Sequence, residues 1–286
     1  MSALAGENVG LVSGITWVPA ETLDALAFGT AADGPADALA TVAAALELDF
    51  VVVPGDASWA PEAVRELHDR GIAALWGVPG VLGRVGERLG WTEMLKMTAA
   101  EPGSLAVLLG EALHDALDVA RSGRAARADA LLVADDLAGA SGPLVAPDFA
   151  LDALLPCYRM LAHEAAEHDA PAVFHSDGDI RALLPALKRA GFAAVHVAGV
   201  SAGAFLASYA AARAAGLVVV GGIEVAALMT GARRLGAQAA AVALSGGMIL
   251  ADDGGITLAE EVAAYASALE AARETYAAGS PTQFEF

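Results

Sequence analysis

The sequence predicts an α/β fold, a single (β/α)8 TIM barrel occupying residues 1–286 as one domain, and three observations predict it. Apolar runs of strand length recur eight times, separated by longer stretches of helical period. The runs are unbroken rather than alternating, as in Phe50-Val51-Val52-Val53, which suits parallel strands covered on both faces. The length of 286 residues is close to the ~250 of a complete barrel and leaves little for a second domain. Eight strands joined by right-handed crossovers close most simply into a barrel, although an open doubly wound sheet shares this pattern.

In chain order the predicted strands are Val9 to Ile15, Phe50 to Pro54, Ile72 to Val78, Ala130 to Ala134, Ala172 to Phe174, Ala194 to Ala198, Leu217 to Gly221 and Gly247 to Leu250. Helices fill the gaps. Pro61 opens one with Glu62 in its first turn, and Pro102 stands near the start of a long segment reaching Ala120. Asp179 is placed to cap a helix over Ile180 to Ala190, with Gly191 as its stop. The alanine-rich stretch Ala207 to Ala215 reads as a tight packing surface.

Sixteen Lys and Arg against thirty-five Asp and Glu give a net charge of -19, which repels phosphate backbones and anionic lipid surfaces and argues against nucleic acid or a membrane as partner. Mean hydropathy is high at +0.53, but alanine accounts for much of it and no run of ~18 residues is uniformly apolar. The first residues have neither a basic start nor a sustained apolar stretch, so the expected compartment is the cytoplasm. The one cysteine, Cys157, excludes an intrachain disulfide and any multi-cysteine zinc cluster, and reads as a buried free thiol.

A barrel of this kind carries its chemistry where the carboxyl ends of the strands converge. Five successive runs end in acids or imidazoles there: Asp135-Asp136, then His175-Ser176-Asp177-Gly178-Asp179, then His196 within its strand, then Glu224, then Asp252-Asp253. Each has a plainer reading. His175 could be structural, Asp136 could cap a loop or helix, His196 between Val195 and Val197 could be a hydrogen-bonded core residue, and Asp252-Asp253 before Gly254-Gly255 is ordinary turn composition. Together, imidazole and carboxylates suit either a divalent metal or general acid and base work. Trp17, Trp59 and Trp76, each near a strand's carboxyl end, are expected either to wall a cavity for a flat ligand or to seal the barrel rim. Gly199-Val200-Ser201-Ala202-Gly203 matches a nucleophile elbow in form, yet no histidine follows His196 to complete a triad. The pairs Gly221-Gly222 and Gly246-Gly247 lack the spacing of a dinucleotide fingerprint.

Several segments in their order resemble the uroporphyrinogen decarboxylase superfamily: Gly77-Val78-Pro79-Gly80 with Leu89-Gly90-Trp91, Ala134-Asp135-Asp136 with Gly142-Pro143-Leu144-Val145-Ala146-Pro147, Leu155-Pro156-Cys157-Tyr158, His175-Ser176-Asp177-Gly178-Asp179, Gly221-Gly222-Ile223-Glu224 and Gly246-Gly247-Met248-Ile249-Leu250. The likeness covers roughly the last 200 residues, and the chain looks like a divergent, short member. It implies a (β/α)8 barrel and either decarboxylation of a porphyrinogen or zinc-dependent methyl transfer involving a corrinoid. The decarboxylase branch uses an arginine-containing motif near its amino terminus, whereas this chain has no Lys or Arg before Arg65 and Ser245-Gly246-Gly247 where that branch has a histidine. The methyltransferase branch holds zinc with a His-x-Cys pair and a distant cysteine; here His175 keeps the first position, Asp177 takes the second, and the region of Asp252 to Gly254 takes the last.

The resemblance therefore implies a methyl-transfer enzyme with His175, Asp177 and Asp136 as catalytic groups and His175, Asp177 and Glu224 as ligands of a divalent metal, zinc first. Trp17, Trp59, Trp76, Asp135 and His196 are its expected substrate contacts. A corrinoid, on a corrinoid protein, or tetrahydrofolate would carry the methyl group, and a homodimer is the expected assembly. Decarboxylation of a porphyrinogen or a smaller carboxylated substrate, and a barrel that binds a tetrapyrrole or corrinoid without chemistry, are the alternatives.

Overall fold

The computed structural model describes residues 11–16, 18, 22–23 and 32–279. Eight parallel strands form one sheet: β1 (Gly14–Ile15), β2 (Phe50–Pro54), β3 (Ala73–Pro79), β4 (Ala130–Ala134), β5 (Ala172–Asp177), β6 (Ala194–Ala198), β7 (Val218–Ile223) and β8 (Met248–Asp252), paired in chain order. The sheet closes on itself. Ser13 bridges Leu250 in parallel, and the Leu250 amide donates to the Val12 carbonyl at 2.9 Å. The closed (β/α)8 barrel is thus the observed fold, and the open doubly wound alternative is set aside.

Helices cover the outside: α1 (Pro35–Ala45), α2 (Ala60–Asp69), α3 (Val81–Leu89), α4 (Trp91–Ala100), α5 (Pro102–Ala125), α6 (Leu155–Ala166), α7 (Leu184–Ala190), α8 (Ala202–Ala214), α9 (Leu228–Ala243) and α10 (Ala259–Ala278). Prolines start α2 and α5 as the sequence predicts, since a first-turn residue needs no amide donor. Gly191 ends α7 at a φ of 110°, a left-handed stop. The expected start of that helix is corrected: it begins at Leu184, and the Asp179 carboxylate instead accepts from the Arg181 amide and pairs with its guanidinium at 2.6 Å. Between β4 and β5 a two-residue hairpin, Ala138–Gly139 with Gly142–Pro143, precedes a π-helical turn, Ala150–Leu154, that leads into α6.

Two apolar layers result. Phe50, Val52, Leu75, Leu132, Val173 and Val220 belong to the cluster filling the barrel, whereas the larger cluster lies between sheet and helices. Because a strand alternates faces, this assignment fixes which side every neighbouring residue takes. Ala116, Ala120, Ala239 and Ala240 are fully or almost fully buried, so alanine composition here marks close approach of helices. The tightest case is α9 on α10, where a Cβ added to Gly236 would lie 1.8 Å from the Ala268 carbonyl oxygen. Gly236→Ala is therefore expected to destabilise the fold by about 3 kcal/mol, read as a lowered midpoint in urea at unchanged slope. No helix among the described residues is long and apolar enough to cross a membrane.

Candidate functional site

Strand β5 is longer than the sequence suggests and carries the site. His175 and Asp177 lie inside it rather than in the loop beyond, so with Val173 they share the face turned to the barrel interior. His196 continues the same face of β6 and stands directly beside His175 in the strand register. Ala134 packs with the barrel interior, which puts Asp135 on the opposite side and returns Asp136 to the mouth.

The outcome is one cluster. Asp136, His175 and Asp177 each bring a ligand atom within 4.8 Å of the others. His175 Nε2 is 3.9 Å from Asp136 Oδ1 and 4.0 Å from Asp177 Oδ1, and the Asp177 amide donates to Asp136 Oδ1 at 3.0 Å. The imidazole is 12% exposed, against 46% and 53% for the carboxylates, so the acids flank the open side of a sunken ring. Burial, reinforced by His196, holds His175 well below the usual histidine range. Burial raises Asp177 above the usual carboxylate range, and the charge of Asp136 adds to the effect.

Behind His175 stands His196, with no exposed surface, its Nδ1 2.7 Å from His175 Nδ1 and its Nε2 2.8 Å from the Asp252 main-chain oxygen. Asp252 is equally buried. Its carboxylate accepts from the Thr16 amide at 2.7 Å, the Thr16 hydroxyl at 2.6 Å and the Gly254 amide at 3.1 Å, binding the last strand to the first. Gly254 roofs the rings; a Cβ there would sit 3.5 Å from His175 Cε1, at a φ of 85°.

The cluster opens into a cavity of about 330 Å³ lined also by Gly83, Glu87 and Trp91. A second cavity of about 370 Å³ shares Trp91, Asp136 and Asp177 and extends toward Gly139 and Leu144. Among the described residues neither lining contains a lysine or arginine. Trp91, 37% exposed, is the aromatic wall that a reading of strand ends misses, because it heads a helix in the β3–β4 connection. The only sign of it in the sequence is its place after Leu89-Gly90.

Other expected site residues lie elsewhere. Trp17 is outside the described residues. Trp59 is packed against the outer layer at the start of α2 and lines neither cavity. Trp76 is corrected from cavity wall to core: it faces outward, is 1% exposed, and its indole donates to the Val119 carbonyl at 2.9 Å. Asp135 is likewise corrected from substrate contact to internal cap. It is buried and accepts from the Leu82 and Gly83 amides at 2.8 and 2.7 Å and from the Tyr158 hydroxyl at 2.7 Å. Burial lifts its pKa to about 6 despite these donors.

Glu224 is corrected as a ligand. Gly221 and Gly222 both have positive φ, at 131° and 103°, so β7 loses its regular alternation and Glu224 emerges on the helix side. There, with Asp253, it lines a small apolar pocket of about 50 Å³ beside Phe205, Leu206 and Leu235. Burial raises Asp253 to about 6, with the charges of Asp252 and Glu224 adding to it. A carboxyl whose folded pKa exceeds its unfolded one costs stability as pH rises from about 4 to about 6, and fully above that. Asp253→Asn, which keeps an acceptor for the Val225 amide, is expected to stabilise the protein by on the order of 1 kcal/mol at pH 7.5 and not at pH 4.5. Thermal midpoints of both proteins across that range check it.

No known protein family matches the sequence, and no curated protein does either. Solved structures match by fold. A methyltransferase from Methanosarcina mazei superposes over 96% of this chain and 97% of its own at a TM-score of 0.71 and 18% identity. A chitinase from Chromobacterium violaceum matches over 91% and 99% at 0.53 and 11%, and a D-psicose 3-epimerase over 93% and 97% at 0.53 and 13%. At these identities the likeness is one of fold, and it agrees with the closed barrel.

Proposed function

We propose that this chain is a methyl-transfer enzyme in which His175, Asp136 and Asp177 hold a divalent cation, zinc first, at the barrel mouth. The observation that carries the reading is that three-residue donor set, one nitrogen and two carboxylate oxygens, on the wall of an open cavity. The set fits such an ion. Ligands at ~2.1 Å in a tetrahedron stand about 3.4 Å apart, so the carboxylates, now 3.9 and 4.0 Å from Nε2, close by about 0.5 Å toward it, and the widest pair of the set, within 4.8 Å, by at most about 1.4 Å through side-chain rotation. Oxygen in place of thiolate makes the site harder than a cysteine-based one and widens the choice of metal. The overall likeness to the M. mazei methyltransferase supports transfer of a methyl group over the other barrel chemistries.

When bound, the ion would supply Lewis acidity that lowers the pKa of a coordinated thiol or hydroxyl. The protein's own groups do the rest. Glu87, which lines the same cavity and is not one of the three proposed ligands, is the carboxylate placed to take the proton the acceptor gives up. The acceptor's electron pair then bonds to the methyl carbon as the bond from carbon to its carrier breaks, its electrons staying on the carrier. Trp91 offers a flat apolar wall for a carrier ring, and Gly254, lacking a side chain, leaves room above His175. A corrinoid, delivered on a partner protein, and tetrahydrofolate are the two carriers of this reading, and the alanine-rich face of α8 is what supports a homodimer.

A carboxylated substrate is less well served. Among the described residues neither cavity lining offers it a lysine or arginine, and Glu87 would repel it, which counts against decarboxylation of a substrate with several carboxylates. The test is elemental analysis of protein purified without chelator, followed by methyl transfer from methylcobalamin or methyltetrahydrofolate to a small thiol. One equivalent of metal with transfer from either donor supports the proposal. No metal after reconstitution sinks it.

A further inference from the structure

The small pocket on the helix side of the barrel joins an apolar wall to an acidic rim. Val197 and Ile223 line it from the sheet, Phe205 and Leu206 from α8, and Leu235 and Val242 from α9. Its polar members are the Glu224 and Asp253 carboxylates and the Gln238 amide. Each helix runs back against the strand before it, so Val242 lies deeper along the wall than Leu235, whereas the two acids stand at the strand ends. Among the described residues neither acid has a cationic partner. Arg234 of α9 donates to Gln238 Oε1 at 3.0 Å rather than to either of them.

The rim is nevertheless held in place. The Asp253 amide donates to the Ile223 carbonyl at 3.0 Å, and Asp253 Oδ1 accepts from the Val225 amide at 2.9 Å, which leaves Oδ2 for a further donor. Gly222 makes room behind it. A Cβ there would press on the Met248 methyl and stand 3.5 Å from both Phe205 Cζ and the Ala239 methyl, at a φ of 103°.

We infer that this pocket is a binding site for a small alkylammonium ion, with its charged head between Glu224 and Asp253 and its hydrocarbon tail between α8 and α9. The volume of about 50 Å³ holds roughly four water-sized groups at ~10–15 Å³ each, the bulk of an alkyl chain of about three or four carbons. An ammonium supplies three donors and the counter-charge the rim lacks. Other occupants are served worse. An anion meets two like charges, and a neutral hydrocarbon covers two carboxylates without compensation. A hard divalent ion needs more oxygens, and among the described residues no third histidine, cysteine or acid joins this pair. The inference does not rest on the metal or methyl-transfer reading, since among the described residues this pocket shares no lining residue with the cavity at the mouth.

The experiment is titration calorimetry of the full-length protein at pH 7.5 with butylammonium, 1-butanol and butyrate, which share one chain length. Butylammonium is expected to bind saturably with a Kd of about 1 mM, within the ceiling set by so small a ligand, and the other two at least about 10-fold more weakly. Glu224→Gln and Asp253→Asn should each weaken butylammonium by about 10-fold, the loss of one charge-assisted hydrogen bond. Ala202→Leu fills the pocket from an exposed position and keeps both acids. It should weaken binding too, which general attraction of a cation to an acidic protein does not predict. Absence of saturable butylammonium binding to the parent overturns the inference without recourse to any variant. So does 1-butanol or butyrate binding as tightly as butylammonium, or a folded Glu224→Gln protein with the parent's affinity.

Discussion

His175→Ala will bind zinc more than ~100-fold more weakly than the parent protein, a larger loss than the 10- to 100-fold typical of removing a partner behind a ligand. The reason is geometric. His175 supplies the only nitrogen of the Asp136, His175 and Asp177 set, and it is the sunken member, whose neighbours already fix its ring. Two carboxylates on an open rim would remain, and such a pair favours water over an ion held by so few bonds. Asp136→Asn should weaken binding as well, since it removes one anionic oxygen and the charge that faces Asp177. Glu224→Gln should leave affinity unchanged, because Glu224 lines the separate apolar pocket on the helix side. Titration calorimetry on the four proteins decides the matter: equal losses in His175→Ala and Glu224→Gln would place the cation elsewhere.

The second large effect is on stability. Asp135→Ala is expected to destabilise the fold by about 4 kcal/mol, because it strands the Tyr158 hydroxyl and the Leu82 and Gly83 amides in the interior without an acceptor. Tyr158 also packs edge-on against Phe174 at 5.0 Å, so a displaced phenol disturbs the helix layer beneath β5. Asp135→Asn keeps one acceptor oxygen and should cost less than half as much. The pH dependence separates charge from hydrogen bonding. The Asp135 carboxyl has a folded pKa of about 6, above the unfolded value, so its ionised form is the less stable one in the fold. The advantage of the parent over Asp135→Asn should accordingly be larger at pH 5 than at pH 7.5. Urea midpoints at the two pH values read it directly, and an advantage that grows with pH would mean that the donors outweigh burial.

Asp135, which holds the fold, and Asp136, which belongs to the site, are adjacent, and the sequence could not tell them apart. The strands were legible as apolar runs because parallel strands buried on both faces need continuous hydrophobicity. That same continuity erases the alternation which would reveal the inward face. Hence Asp135 and Asp136 looked alike at the end of β4, and Trp76 could be taken for a cavity wall when it points at Gly123 of α5. His175 and Asp177 were readable as a pair because their spacing of two puts them on one face whichever face that is. Glu224 was misread for a related reason. Two glycines of positive φ turned the chain by an amount that no residue pattern specifies. Asp252, which looked like turn composition, instead spends its carboxylate on Thr16 across the barrel seam.

That seam joins positions 236 residues apart in the chain. Contacts of such separation carry a large loop-closure entropy, and barrels dominated by them assemble slowly, with the most distant pairing gained late. The Asp252 carbonyl that orders His196 takes its place only when that final pairing is made. A chain still searching for closure therefore has its helices and most strands but lacks an oriented imidazole at the mouth. Cation uptake should follow refolding rather than guide it: zinc added at the start of a refolding experiment should leave the rate of barrel formation unchanged, and it should slow unfolding of the finished protein.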